Sequence, residues 1–239
     1  MRVNWNYIKG LLLLTFVSFV FVFSSFRNND RKIEKIVINF QGENNLFITE
    51  DSVNKLLIQN DDSITSVAKE TLDLNELETV LKSNPMIKTA QVHLTVNGEV
   101  RADVIQRQPI ARVSTNASYY IDDEGSFMPL SANHSARVPL VTGYVKKNNL
   151  DKVYTIANKV FNDPFLKTHI VEIQQNSDES FVLKSRVLDF EILVGGVDHL
   201  DKKIQNLKAF YQKAKKDKVL NTYNKVNLQF ENQVVCTKK

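Results

Sequence analysis

The hydrophobic pattern of the chain begins with an uncharged apolar run, GLLLLTFVSFVFVFSSF, at residues 10–26. Extended back to Tyr7, the run has 20 residues, enough for about 30 Å of helix and so for the hydrocarbon core of a bilayer. We predict a transmembrane helix over residues 7–26, after a stub of residues 1–6. A cleaved signal peptide is the alternative, but the run exceeds the usual cleavable length and SSFRNN offers no A-x-A site.

Basic residues flank both ends of this run, so their count does not favour a cytoplasmic N-terminus. The stub is too short to be a domain, and long C-terminal domains translocate largely regardless of their charge. We therefore expect the N-terminus in the cytoplasm and the bulk of the chain outside it.

The next residues alternate in polarity and then change to helical spacing. KIEKIVINF at residues 32–40 predicts a strand. Thr49 is placed to cap a first helix, with Ile48 and Val53 as its hydrophobic staple. Asp73 is placed to cap a second helix, which Asn84-Pro85 ends.

Two apolar strands then surround Asn97-Gly98, a strong hairpin signal. Their apolar rows are Ala90, Val92, Leu94 and Val96 on the first strand and Val100, Ala102 and Val104 on the second. A two-residue turn would put the two rows on opposite faces of the sheet. We therefore predict a three-residue loop, Asn97 to Glu99, with Val96 opposite Val100, or else a compensating bulge.

The order strand, helix, helix, strand, strand predicts a small α+β layer over residues 32–110. The run MIKTAQVHLTVNGEVRADVIQRQPIARV, placed after a single anchor, resembles the POTRA domain of the FtsQ/DivIB bacterial cell-division proteins. In that family the last POTRA strand leads into a junction of the Q/E-R-x-P-I-A-R type, which residues 106–112 resemble here.

Residues 111–239 predict a β-rich domain with flanking helices, and they resemble the second domain of the same family. Strands are expected at 119–131, around an acidic turn that ends in Gly125, and at 138–143. A helix over 150–161 and three short strands follow, then a longer helix with apolar residues from Leu200 to Ala214 spaced 4, 3, 4, 3. The predicted fold class is therefore α+β throughout.

The chain closes with a predicted hairpin, in which Val226, Leu228 and Phe230 share one strand face. Residues 233–237 return along that strand after a tight turn at Glu231-Asn232. A strand at the end of a sheet shows unpaired N–H and C=O groups, to which another chain can add a strand. A closing strand paired only within its own sheet is the alternative.

The resemblance implies binding of FtsB (DivIC)-like and FtsL-like proteins through these C-terminal strands, in the periplasm, and recruitment of other division proteins through the POTRA domain. The predicted partner-binding residues are Val226, Leu228, Phe230, Gln233, Val234, Val235, Cys236 and Thr237.

Charge is unevenly spread along a chain of net charge +4. Residues 43–78 hold nine acidic residues against two lysines, whereas residues 201–239 hold ten lysines against three acids. The lysine-rich helix is either a solvated face or a docking surface for an acidic partner or lipid headgroups. No aromatic stacking pattern of the kind found in nucleic-acid binders interleaves the lysines, so no nucleic acid is expected.

Catalytic and metal-binding patterns are absent from the sequence. His93, His134, His169 and His199 stand singly, without ligand spacing, and the one cysteine, Cys236, is expected to pack as a small hydrophobe. The carboxylates of residues 122–124 could gather a calcium ion, but a solvated hairpin turn is the expectation. We predict no catalytic residues, cofactor or metal.

These patterns predict a single-pass protein without a catalytic motif, and the resemblance implies a non-enzymatic scaffold of the bacterial inner membrane that is enriched at the division septum. Two alternatives remain at this point: a POTRA-containing protein of envelope assembly or secretion, and a membrane-tethered cell-wall hydrolase.

Overall fold

The computed structural model describes residues 5–29, 33, 35–42, 45–58, 72–95, 97–230 and 233–239. The predicted α+β class is confirmed. An N-terminal helix, α1 (Trp5–Asn29), contains the apolar segment Ile8–Ser25, which is long and apolar enough to cross a membrane. The chain divides into two compact units, Met1–Gln106 and Arg107–Lys239.

The N-terminal unit carries a small sheet with two helices. After α1, its elements are β1 (Lys35–Gln41), α2 (Glu50–Ile58), α3 (Leu74–Ser83), β2 (Ile87–Leu94) and β3 (Glu99–Gln106). Within the described residues the sheet has three strands in the order β1-β3-β2, with β1 parallel and β2 antiparallel to β3. One buried cluster, which includes Val53, Leu77 and Val104, joins the helices to the sheet.

Both predicted helix caps are present. The Ser52 amide donates to Thr49 Oγ1 at 3.2 Å, and the amides of Asn75 and Glu76 donate to Asp73 Oδ1 at 2.9 and 3.2 Å. The Asp73 cap satisfies amides that the first turn of α3 leaves without an intrahelical acceptor. The helix ends at Ser83, before Asn84-Pro85, as the sequence predicts.

The loop of the β2–β3 hairpin lies one residue earlier in the chain than predicted. Val100 lies opposite Leu94, so the predicted pairing with Val96 is wrong; Val96 itself lies outside the described residues. Gly98 has φ +87°, which suits the last position of a three-residue loop, and Thr95 accepts the Glu99 amide on Oγ1 at 3.0 Å. The loop therefore closes between Thr95 and Glu99. The two apolar rows still share one face, because a shift of two residues preserves it.

The C-terminal unit is built on a larger mixed sheet. Its strands are β4 (Pro109–Ser114), β5 (Ser118–Asp122), β6 (Phe127–Met128), β7 (Leu140–Gly143), β8 (Ile170–Gln175), β9 (Phe181–Ser185), β10 (Glu191–Gly195), β11 (Tyr223–Asn227) and β12 (Val235–Lys238). Its helices are α4 (Asp151–Asn162), α5 (Pro164–His169), α6 (Leu200–Lys216) and a short 3-10 turn, Leu220–Thr222. In the described part of the chain the strand order is β12-β11-β10-β9-β8-β7-β4-β5-β6.

A single buried cluster unites the helices and strands of this unit. Helix α6 contributes Leu200, Ile204 and Leu207, which the predicted spacing places on one face. Strand β10 contributes Ile192 and Val194, while β11 contributes Val226. Because the last two strands share this core, the segment after α6 is held in the sheet.

Candidate partner-binding edge

Strand β12 is an outermost strand of the large sheet. It pairs antiparallel with β11, and among the described residues no other strand pairs with it. The register places Cys236 opposite Val226 and Val235 opposite Asn227. Strand β11 pairs in turn with β10 in parallel, with Val226 opposite Ile192. The final ribbon thus has one flank in the sheet and one flank unpaired.

The tight turn predicted for this ribbon does not fit the observed register. A two-residue turn at Glu231-Asn232 would place Asn227 opposite Cys236, but Val226 occupies that position; the two turn residues lie outside the described residues. The ladder ends at Asn227 because Asn227 Oδ1 accepts the Gln229 amide at 2.9 Å, which turns the chain away. The Leu228 amide still donates to the Leu193 carbonyl at 2.8 Å, which prolongs the contact with β10.

The structure separates the predicted partner-binding residues into two groups. Val226 and Leu228 are buried in the core, at 0% and 1% exposure, so their side chains are not available to a partner. Phe230 lies beyond the end of β11 and is 46% exposed, so it does not share their buried face as predicted. The remaining predicted residues belong to β12 or directly precede it.

Side chains alternate along the segment that contains β12. Val234 and Cys236 are half-buried and pack against the core, whereas Gln233, Val235 and Thr237 are exposed. Burial raises the pKa of the Cys236 thiol above its ordinary value. Cys236 therefore packs as a small hydrophobe, and the exposed side chains among the predicted residues of this segment are Gln233, Val235 and Thr237.

The backbone N–H groups of the segment that contains β12 point alternately toward β11 and away from it. The Lys239 amide donates to the Thr222 carbonyl at 2.9 Å, toward β11. Amides two residues apart on a strand point the same way, so those of Thr237 and Val235 also face β11. The N–H and C=O groups of Cys236 and Lys238 consequently face away from the sheet, along its open flank.

Family models match both units of the chain. The model described as "FtsQ/DivIB, C-terminal related" matches residues 108–237, and the model of a "POTRA-like domain" matches residues 31–105. The chain belongs to the FtsQ/DivIB family. This is a family of non-enzymatic scaffolds of cell division, and α1 is a candidate membrane anchor of the kind that a bitopic FtsQ-like protein has. No curated protein sequence matches the chain.

The junction motif of this FtsQ/DivIB protein has a structural role that the sequence analysis missed. Gln106 is buried: its Oε1 accepts the amides of Phe47 and Ile48 at 3.0 and 3.3 Å, and its Nε2 donates to the Ile48 carbonyl at 2.9 Å. The next residue, Arg107, donates to the fully buried Asp122 carboxylate at 2.5 Å. The adjacent polar residues thus each bind within their own unit.

The acidic turn of this family member is a hairpin turn, as expected, but its first carboxylate is buried rather than solvated, since Asp122 is 0% exposed. Asp122 Oδ1 accepts the amides of Glu124 and Ser126 at 3.0 and 2.7 Å, and Oδ2 accepts from Arg107. Gly125 has φ +81°, which favours glycine there. The Asp122 oxygens are therefore engaged by the fold. In the described residues, no group of three or more His, Cys, Asp and Glu is placed to hold a metal ion.

Several lysines of α6 are bound within the FtsQ-type unit. Lys208 donates to Asp163 at 2.5 Å and Lys203 donates to the Gly196 carbonyl at 2.8 Å. Burial opposes ionisation of Asp163, but the Lys208 ammonium and the amides of Leu166 and Phe165 outweigh it and lower the pKa of that carboxyl. These lysines fasten α6 to its own unit.

Proposed function

We propose that this chain is a non-enzymatic, single-pass scaffold that binds FtsB/DivIC-like and FtsL-like proteins in septum formation. The observation that carries the proposal is the unpaired flank of β12 in a member of the FtsQ/DivIB family. The outward N–H and C=O groups of Cys236 and Lys238 form the hydrogen-bonding row that an added strand requires.

Main-chain hydrogen bonds set the register of the added strand, and side chains select its sequence. Val235, 41% exposed, and Thr237 offer an apolar and a hydroxyl contact on one face of β12. Lys238 is an exposed cation at the same edge, which discourages self-pairing of identical edges and favours a partner strand with acidic residues.

The membrane arrangement is part of the same proposal. Helix α1 anchors the chain in the inner membrane with its N-terminus in the cytoplasm, and both units lie in the periplasm, enriched at the division septum. The POTRA-like unit recruits further division proteins. In the described residues β1 also pairs on one side only, with β3, which supports a second docking edge.

Photo-crosslinking in living cells tests the proposal. A photoreactive residue is introduced at Val235 or at Thr237 in the full chain, and at Asn75 on the exposed surface of α3 as a control. We expect adducts with an FtsB/DivIC-like protein from both β12 positions and none of that mass from Asn75. If β12 yields no such adduct while the protein is present at midcell, the assignment of this edge is wrong.

A further inference from the structure

The C-terminal unit has a concave pocket of about 360 Å³. None of the residues that line this pocket belongs to strand β12. Its basic residues come from three separate segments: Arg137 precedes β7, Lys167 lies in α5, and Arg186 follows β9. Among the residues that the structure describes, no acidic residue lines it. Such a convergence of like charges is unfavourable by itself, so an anion placed there would relieve the repulsion.

The floor of the pocket is apolar. It includes Val160 and Ile170, which are buried at 1% and 4% exposure, and Phe161 also lines the pocket. Lys167 Nζ stands 4.3 Å from the centre of the Phe161 ring, so the ammonium makes a cation–π contact with a residue that lines the pocket.

Backbone hydrogen bonds hold the segments that carry the two exposed arginines. The Arg186 amide donates to the His169 carbonyl at 2.8 Å, beside the start of β8. The Pro139 carbonyl accepts the Arg112 amide at 2.9 Å, which ties the segment that carries Arg137 to β4. Among the described residues neither guanidinium forms an ion pair. Both therefore have donors to offer a ligand.

We propose that this pocket binds an acidic peptide segment of a partner protein, in which a carboxylate stands beside an aliphatic side chain. Guanidinium groups match carboxylates in a bidentate geometry. The floor formed by Val160 and Ile170 accepts the aliphatic side chain, and the volume lies in the range of small binding sites. A bare anion would leave this floor uncovered, and a membrane surface would not enter a concave site.

Titration of the full chain in zwitterionic micelles, with ¹⁵N-labelled arginine, tests the proposal. The probes are acetyl-Leu-Glu-Glu-Leu-amide and its twin, acetyl-Leu-Gln-Gln-Leu-amide. We expect the resonances of Arg137 and Arg186 to shift with the Glu peptide, and the Gln peptide to bind about tenfold or more weakly. Equal binding of the two peptides overturns the proposal.

A charge exchange separates recognition from structural damage. The double variant Arg137→Glu/Arg186→Glu should lose the Glu peptide and instead bind acetyl-Leu-Lys-Lys-Leu-amide. The double variant Lys146→Glu/Lys216→Glu carries the same change of net charge on exposed residues outside the pocket and should keep the original preference. If the reversed pocket binds neither peptide, or the control loses the preference, the recognition is not local and the proposal fails.

Two further experiments test whether the pocket binds a simple anion or a lipid headgroup instead of a peptide. Inorganic phosphate that displaces the Glu peptide at equal concentration would make this a simple anion site. Phosphatidylglycerol nanodiscs that shift the two arginines when the peptide does not would make it a lipid site. Either result overturns the proposal. A variant at the β12 edge, Cys236→Pro, should leave peptide binding unchanged, so failure of the strand-docking function is distinguishable from failure here.

Discussion

The outward backbone amides of β2, in the small sheet, and of β12, in the large sheet, differ in whether a side chain accepts their hydrogen bonds. On β2, the Val92 amide donates to the Glu78 carboxylate of α3 at 2.9 Å. On β12, the Cys236 amide faces outward, and no side chain of the described residues is shown to accept from it. The Glu78 side chain thus guards the edge of β2, whereas no side-chain acceptor is shown for the outward amide of β12 among the described residues.

The guarded edge illustrates how a fold prevents unwanted strand addition. Glu78 also accepts from Lys82 at 2.9 Å, and its hydrogen bonds from the Val92 amide and from Lys82 lower the pKa of the Glu78 carboxyl. The acceptor therefore stays ionised at neutral pH. An edge amide that is already bonded offers little to an incoming strand, and so this part of the β2 edge is poorly suited to strand addition.

The largest effect is expected from proline at the open edge. Cys236→Pro removes the outward donor of β12 without removing a bond to β11, because proline is tolerated where its missing N–H faces solvent. We expect partner affinity, measured with purified full-length proteins, to fall by about tenfold or more. Unfolding of the C-terminal unit should change little.

The neighbouring substitution Val235→Pro provides the contrast. The Val235 amide faces β11, so its loss leaves the Asn227 carbonyl unpaired and should lower the free energy of unfolding by about 1–3 kcal/mol, with partner binding lost as well. If both variants unfold equally and bind equally, the assigned direction of the amides is wrong.

A smaller effect is expected from a substitution at Gly195, at the end of β10, which lies close to Gln229 in the segment that follows β11. Gly195 has φ +71°, and a Cβ there would lie 2.8 Å from Gln229 Cγ. Gly195→Ala should cost about 1–2 kcal/mol of stability through backbone strain, and it should displace the segment that leads from β11. Thermal unfolding measures the loss. The adjacent Gly196→Ala is the control, since only the flexible Asp198 side chain lies near; an equal loss there would contradict the argument.

Removal of the Glu78 carboxylate tests its role at the outer edge of β2. In Glu78→Ala, hydrogen exchange at the Val92 amide should become several-fold faster, while partner capture at β12 stays unchanged. Glu76→Ala on the same helix is the matched control. The effect also depends on pH. The folded pKa of Glu78 lies below its ordinary value of 4.5, so the carboxylate is fully available to the Val92 amide above pH 4.5 and is lost as the pH falls through the lowered pKa. A protection factor of the Val92 amide, the exchange rate corrected for the intrinsic effect of pH, that is equal at neutral and acid pH would refute this.

The smallest effect concerns the thiol at the open edge. Since burial raises the pKa of Cys236, less thiolate is present at pH 8 than in the unfolded chain, and alkylation by iodoacetamide should be slower. The single cysteine makes the assay unambiguous. Rates equal to those of the urea-unfolded chain would show that the thiol is not held against the core.

Local signals predicted most of the elements. The caps at Thr49 and Asp73, the stop at Asn84-Pro85 and the spacing along α6 all act within a few residues, so the sequence shows them directly. The phase of the two apolar rows predicted a three-residue loop in the first hairpin, but its exact members depended on hydrogen bonds of Thr95 and Gly98 that the pattern did not reveal.

The candidate site was predicted less completely, because its parts are distant in sequence. Asn227 and Gln229 end the β11 ladder through a side-chain bond that alternation cannot show, and so the predicted turn and the place of Phe230 were wrong. Likewise, Gln106 and Arg107 were recognised as a motif, but their partners, 58–59 residues before and 15 residues after, were not.

The sequence by itself determined the apolar helix, the absence of a catalytic pattern and the order of most strands and helices, since each depends on short-range periodicity and residue type; it predicted neither strand β4 nor helix α5. Only the tertiary structure decided which strand lies at the end of the sheet, which amides face outward, and which basic residues converge on one pocket. The physical reason is that pairing, register and convergence are contacts between distant segments, and their geometry exists only once the sheet has assembled.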